Sequence, residues 1–343
     1  MSDQAPRLAV VGENVMDLLP TRHGPDVLRA APGGGPANTA VSATRLGLPT
    51  RLLARIGSDG FGELIRDRLL AEGLDPSGLV AAGEPSALAL ATLAADGSAR
   101  YDFRMDDAAD WRWLPGELPH ALEPEVKALH AASIALFREP GAAKIEAMLR
   151  REHSRREVTV TLDPNIREDV IGEPDTARGM ALRHAAQAHV VKASDEDLAY
   201  LYPGLSPEGA AHSLAALGPA LVVVTRGGEG SFALSHGVAA SVPAPEAEVV
   251  DTVGAGDSFM GALLRRLDLD GRLGDAPRER LTGLTEADLE NLLAYAAAAA
   301  AYTVTREGAD PPTEEELRAR TADRGTSPGA GRSADRQEER AGS

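Results

Sequence analysis

The chain has 343 residues, with 35 Lys and Arg against 52 Asp and Glu, a formal charge of −17 at pH 7. Repulsion of that size opposes binding to nucleic acid or to an acidic membrane surface, so neither is expected as a partner. There is no cysteine, which removes disulfides, thiolate catalysis, iron–sulfur clusters and cysteine zinc sites. The 43% of apolar residues suffice for a sizeable core, and the length fits about two domains or one large domain with an appendage. The histidines are scattered, with no His-Glu-x-x-His pair to hold a hydrolytic metal. Met1 to Pro6 carries acid and proline where a secretory leader needs a basic start and an apolar run. The longest apolar stretch, Leu292 to Val304, is too short to span a bilayer. A cytoplasmic protein is the expectation.

Leu8 to Val11 predicts a short strand ending at Gly12-Glu13. After Ala31 to Pro36, which is mostly glycine and proline, Ala37 to Leu46 suits a helix stopped by Gly47. Arg51 to Ile56 predicts a second strand, and Phe61, Ile65 and Leu69 recur at helical spacing before Gly73. Strand, glycine turn, helix, strand is the rhythm of a wound α/β sheet. Ala87 to Met105 breaks it: two extended runs flank Ala95-Asp96-Gly97-Ser98, a hairpin signal. Tyr101, Phe103, Trp111 and Trp113 gather a third of the aromatic side chains here. An accessory sheet covering a site and a surface hairpin with its own aromatic cluster both fit this pattern.

The rhythm then returns. Val158 to Leu162, His189 to Lys192 and Leu221 to Thr225 are short runs suited to buried parallel strands. Each leads into a polar cluster, Asp163-Pro164-Asn165, Lys192-Ala193-Ser194-Asp195 and Thr225-Arg226-Gly227-Gly228, and carboxyl ends of parallel strands share one crevice. Asp268 to Thr285 is charged and glycine-containing, which predicts a surface excursion, and Glu286 to Thr303 predicts an alanine-rich helix. From Arg318 onward there is no Leu, Ile, Val, Met or aromatic residue, so 317–343 is expected to be a disordered tail.

Asp251-Thr252-Val253-Gly254-Ala255-Gly256-Asp257-Ser258-Phe259 carries the most chemistry. Phe259, Met260, Leu263, Leu264 and Leu267 fit a helix beginning near Ala255, and small residues at 254–256 leave its N-terminal N–H groups open to an anion. Asp257 in the first turn is held ionised by the dipole and can accept a proton. An anion hole beside a carboxylate base suits deprotonation of an alcohol next to a phosphoryl group. From this segment alone, a capped helix on a tight glycine turn fits equally well. No Walker A spacing occurs, and Gly33-Gly34-Gly35 does not meet the dinucleotide fingerprint.

Two motifs together resemble the ribokinase-like, or PfkB, carbohydrate kinases, most of all the bacterial fructokinases. One is Gly34-Gly35-Pro36-Ala37-Asn38-Thr39-Ala40 with Gly47 and Gly57; the other is Asp251 to Asp257 continuing through Gly261-Ala262-Leu263-Leu264. The likeness covers roughly residues 7 to 316. It implies a three-layer αβα fold, mostly parallel, with a small β lid: a kinase domain over 1–316 whose lid comes from parts of 12–36 and 85–115. It also implies ATP and Mg²⁺, with K⁺ near Asp251 left open. Asp257 would be the base and Gly254, Ala255 and Gly256 the anion hole. Asp17, Gly34 and Asn38 would hold sugar hydroxyls. Lys192, Thr225, Gly227 and Gly228 would meet the nucleotide. The family's metal-organising Asn-x-x-Glu element stands here as Ser194-Asp195-Glu196-Asp197, so Asp197 is the candidate metal residue, acting through water. Relatives often pair through their lids, which leaves a homodimer open.

Asp163-Pro164-Asn165-Ile166-Arg167 resembles both the fructokinase and the 2-keto-3-deoxygluconate kinase branches, making Asn165 and Arg167 substrate candidates. Ala109-Asp110-Trp111-Arg112-Trp113 favours the fructokinases. A keto acid would need a cation for its carboxylate, which Arg104 or Arg167 could supply. The expectation is therefore phosphoryl transfer from ATP to a ketohexose. A keto-acid kinase and a non-catalytic sugar or nucleotide sensor are the alternatives.

Overall fold

The computed structural model describes residues 5–21, 24–93 and 99–325. The expected turn at Ala95 to Ser98 and positions 326–343 lie outside these. Strand β1 (Leu8–Val11) shows how the core is built. Successive side chains of a strand point to opposite faces, and here Leu8 and Val10 enter one hydrophobic cluster while Ala9 and Val11 enter another.

The chain then leaves the main sheet for β2 (Val15–Thr21) and β3 (Gly24–Pro32), returns through α1 (Gly35–Arg45) to β4 (Thr50–Gly57), and passes α2 (Gly60–Ala71) to β5 (Leu79–Ala82). A second departure forms β6 (Ala87–Leu93) and β7 (Ala99–Arg104). The βαβ rhythm follows: β8 (Ala128–Ala132), α3 (Gly141–Arg155), β9 (Thr159–Asp163), α4 (Pro174–Ala186), β10 (Val190–Ser194), α5 (Asp195–Leu201), α6 (Pro207–Ala215) and β11 (Leu221–Thr225). Strands β12 (Ser231–Ser235) and β13 (Val238–Val242) pair antiparallel at that edge. Helices α7 (Ala255–Leu269), α8 (Pro277–Leu281), α9 (Glu286–Thr303) and α10 (Glu314–Gly325) complete the described chain.

The main sheet has nine strands in the order β13-β12-β11-β10-β9-β8-β1-β4-β5, parallel from β5 to β11. From β1 the chain winds one way to β4 and β5 and the other way from β8 to β11. Ligands of such sheets bind at the carboxyl ends of the strands where the winding reverses, which here means just after Val11 and Ala132. Val41, Met260, Leu263 and Leu293 fill the face under α1, α7 and α9. Ile145, Met148, Met180, Trp111 and Trp113 fill the other. The two tryptophans therefore belong to the main core, and the reading of a hairpin with its own aromatic cluster does not hold for them. The second sheet, β3-β2-β6-β7, stands over the carboxyl ends as the accessory sheet expected.

Two expectations need correction. The segment after α7 is not a detached surface excursion, because Leu273, Leu281 and Leu284 anchor it to the core and α8 forms part of it. Nor is the chain unstructured from 317. Helix α10 continues to Gly325, with Leu317 buried and Glu314 accepting from the Tyr295 hydroxyl at 2.8 Å.

Beneath the small sheet, Asp110 is buried at 3% exposure, with Oδ1 accepting from the Asn14 N–H at 2.7 Å. Burial pushes its carboxyl up to about 7 against that hydrogen bond and the Arg55 charge. A carboxyl raised on folding adds stability below its unfolded pKa and loses it as pH rises through the folded one. Asp110→Asn, whose amide oxygen can keep the Asn14 bond, is expected to stabilise the fold by roughly 2–4 kcal/mol at pH 8 and by clearly less at pH 5. Urea unfolding at both pH values measures this.

Candidate active site

A cavity of about 850 Å³ opens at the carboxyl ends of the main sheet under the small one, a size suited to a small-molecule substrate pair. Helices α1 and α7 lie side by side, with Ser42 Oγ on α1 donating to the Ser258 carbonyl on α7 at 3.2 Å. Both N-termini reach the cavity, through Gly34-Gly35 and Gly254. Their partial positive ends favour an anion there.

Gly254 caps α7 at φ 75, where a Cβ would lie 2.5 Å from Ala309 Cβ, so no larger residue fits this turn. The amides of Gly254, Gly256 and Asp257 have no hydrogen-bond partner among the described residues. Ala255 departs from expectation: its N–H goes to the Thr252 carbonyl at 3.3 Å, and it does not line the cavity. The amides left for an anion are therefore those of Gly254, Gly256 and Asp257. Asp251 fixes the approach to them, with Oδ1 accepting from Val253 N at 3.0 Å and Oδ2 from Gly308 N at 2.8 Å.

Asp257 opens onto the same space. Burial raises its pKa, while the hydrogen bond from Asn38 and the charges of Lys192 and Arg167 hold it down. Asn38 Nδ2 donates to Asp257 Oδ2 at 3.0 Å, so this amide orients the carboxylate as well as facing the cavity. Gly35 makes the remaining room, since a Cβ there would meet Asn165 Nδ2 at 2.7 Å and Asp257 Oδ1 at 3.3 Å. Asn165 and Asp257 thus converge on the space beside Gly35.

Lys192 on β10 is 4% exposed and pairs with Asp163 at the end of β9, Nζ to Oδ2 2.9 Å. Burial works against the ammonium, and the Asp163 and Asp197 carboxylates overcome it, raising the Lys192 pKa. Burial pushes Asp163 up to about 6, with Lys192 opposing. The ammonium lies 3.2 Å from where a Cβ of Gly256 would be, a positive group beside these unpartnered amides. Asp17 and Glu13 also line the cavity. Burial raises Asp17 to about 6 and Glu13 to about 7.

Other expected residues divide. Gly34, Asn165 and Arg167 line the cavity. Arg104 does not: its side chain is 71% exposed and pairs with Asp102 at 2.7 Å. Phe103 and Met105 face the cavity, so the residue between them must face away. Thr225 pairs in register with the cavity residue Ser194, but neither it nor Gly227 and Gly228, exposed in the turn beyond, lines the cavity. Asp197 lines it with both oxygens engaged, Oδ1 by Ile166 N at 2.7 Å and Oδ2 by Ser194 N at 2.8 Å. Among the described residues no group of three or more His, Asp or Glu could hold a metal ion. Asp163 and Glu13 were not singled out as site residues from the sequence, where an acid just after an aliphatic strand was the available signal.

The pfkB family carbohydrate kinase model matches residues 5–316. The chain belongs to this family. It is therefore a phosphotransferase with an alcohol group as acceptor, a sugar kinase. It is 34% identical over 329 residues to fructokinase-1 of Oryza sativa subsp. japonica, covering 92% of this chain and 98% of that protein. To the fructokinase of Rhizobium leguminosarum bv. trifolii it is 35% identical over 285 residues, 82% of this chain and 84% of that one. The fold matches a Vibrio cholerae fructokinase crystallised with fructose, ADP and calcium, at TM-score 0.79 and 28% identity, covering 92% and 98% of the two chains. No helix among the described residues is long and apolar enough to cross a membrane.

Breaking a buried pair strands the surviving charge. Lys192→Met is expected to cost roughly 3–5 kcal/mol at pH 8. Part of that loss returns at pH 5, because Asp163 is then protonated in the fold and its stability contribution is lost only as pH rises. Denaturant unfolding at the two pH values is the check.

Proposed function

We propose that this sugar kinase transfers the γ-phosphoryl group of ATP to a hydroxyl of fructose, with Asp257 as general base. The observation that carries the reading is the desolvated Asp257 carboxylate beside the unpartnered amides of Gly254 and Gly256 in one cavity. Asp257 takes the proton of the sugar hydroxyl, and the oxygen attacks phosphorus as the bond to the departing diphosphate breaks. Charge redistributed onto the phosphoryl oxygens meets the amides of 254, 256 and 257 and the Lys192 ammonium, all fixed before the reaction. Asp17, Gly34, Asn165 and the free Asn38 Oδ1 offer the acceptors and donors that a polyol needs. The small sheet excludes water, limiting wasteful hydrolysis of the nucleotide.

Mg²⁺ takes much of its coordination from phosphates and water, so few protein oxygens are needed. Asp197 and the exposed Glu196 at the cavity lining fit contact through water. The ion would neutralise phosphate charge when bound with the nucleotide. Thr225, Gly227 and Gly228 belong to this proposal as nucleotide contacts at the strand edge shared with Ser194. A homodimer through the small sheet is part of the same proposal.

An uncharged sugar is favoured over a keto acid. The cavity lining carries eight carboxylates against Arg29, Arg167 and Lys192, and Arg104, one of the two cations a sugar acid could have used, faces away. Side-by-side turnover on fructose, 2-keto-3-deoxygluconate, ribose and adenosine tests this, with fructose expected to be the best. Asp257→Asn is expected to lower kcat by about 10² or more with the unfolding midpoint little changed. Parental turnover in that variant contradicts the base assignment, and sugar binding without ADP release by the unaltered chain favours a sensor.

A further inference from the structure

Arg68 lies on α2, outside the lining of the main cavity. Its guanidinium nevertheless holds two parts of that cavity at once. Nη1 donates to the carbonyl of Pro32, the last residue of β3, and Nη2 donates to the Ala309 carbonyl at 3.2 Å. Pro32 roots the small sheet just ahead of Gly33 and Gly34 on the cavity wall. Ala309 packs on Gly254, the cap of the anion hole, leaving no room there for a Cβ.

The short stretch around Ala309 is fastened on either side. Gly308 N donates to Asp251 Oδ2 at 2.8 Å, and Arg45 Nη1 donates to the Pro311 carbonyl at 2.7 Å. Arg29 of β3 adds an ion pair with Glu307 at 3.0 Å. The lid root and the anion hole are thus tied to one segment, and the half-buried Arg68 reaches both from α2.

We propose that Arg68 is a positioning residue that couples the sugar end of the cleft to the anion hole, its fork bridging Pro32 to Ala309 and its charge serving the wall that carries Asp17. The inference rests on the sugar-kinase reading above. Asp17 Oδ2 lies against the position a Cβ of Gly33 would take, next to the Pro32 carbonyl that Arg68 holds, and the Arg68 charge favours its ionised form against desolvation. The other charged groups near that end are Glu13 and Arg29 on the cavity lining, the latter already paired with Glu307. Arg68 itself faces Glu72, Arg45, Asp310 and Asp17. A planar fork can span two carbonyls while carrying a fixed charge, which an ammonium cannot do in the same geometry.

Two substitutions separate the two roles. Arg68→Gln removes the charge, so the acid limb of kcat/KM for the sugar is expected to move to higher pH, with kcat/KM at neutral pH down roughly tenfold. Arg68→Lys keeps the charge and loses the fork, so the limb is expected to stay in place while kcat falls. A merely structural arginine would lower the unfolding midpoint and leave the limb where it was. An unmoved limb in Arg68→Gln, or parental kcat in Arg68→Lys, overturns the proposal. An unaltered chain that turns over no sugar overturns the sugar-kinase reading instead, and this is read before any variant is made.

Discussion

Asp257 is a carboxylate placed where water is scarce, and most of the site serves to keep it both charged and correctly aimed. Desolvation pushes it toward its neutral form, in which it could accept no proton. The Asn38 hydrogen bond and the Lys192 and Arg167 charges act against that push. Three separate elements contribute: α1 brings Asn38, β10 brings Lys192 with its Asp163 counter-charge, and the loop after β9 brings Arg167. The parallel sheet makes this economical, because its strands deliver their polar ends to one crevice while their aliphatic bodies stay in the core. Removing the Asn38 amide, or the Lys192 or Arg167 charge, takes away one of the influences that hold this carboxyl down.

The same low-dielectric setting has a cost distributed over the cavity floor. Asp163, Asp17 and Glu13 all have carboxyls raised by burial. Groups of this kind weaken the fold at neutral pH. Free amides at the start of α7 are the complementary sacrifice. The first N–H groups of a helix have no partner within it, and here they are left to face the cavity rather than being capped by a side chain.

Much of the fold was legible in the sequence because the signals were local. Aliphatic runs such as Leu221 to Thr225, glycine stops such as Gly47, and the periodicity of Phe61, Ile65 and Leu69 each depend on a few neighbouring residues. Asp257 and the glycines before it were legible for the same reason. What escaped was set by distant contacts. The Lys192–Asp163 pair joins neighbouring strands 29 residues apart, and the Asn38–Asp257 bond spans 219. Arg104 faces away from the cavity, and composition does not reveal which face a strand residue takes, since a shift of one residue reverses the answer. The segment after α7 looked superficial because its charges outnumber Leu273, Leu281 and Leu284, which nonetheless anchor it. Residue 317 onward lacked apolar pattern, yet Leu317 and the tie from Tyr295 to Glu314 hold the start of α10 against α9.

If a phosphoryl group occupies the vacant amides at 254, 256 and 257 during the reaction, their chemical environment changes when such a group is bound. Backbone amide resonances of these residues report this directly when MgADP, aluminium fluoride as a mimic of the transferring group, and fructose are added together. Large downfield shifts are expected at Gly254, Gly256 and Asp257, with a smaller change at Ala255, whose N–H is already bonded to Thr252. Unchanged resonances at these positions, in a protein that still phosphorylates fructose, would contradict that occupancy.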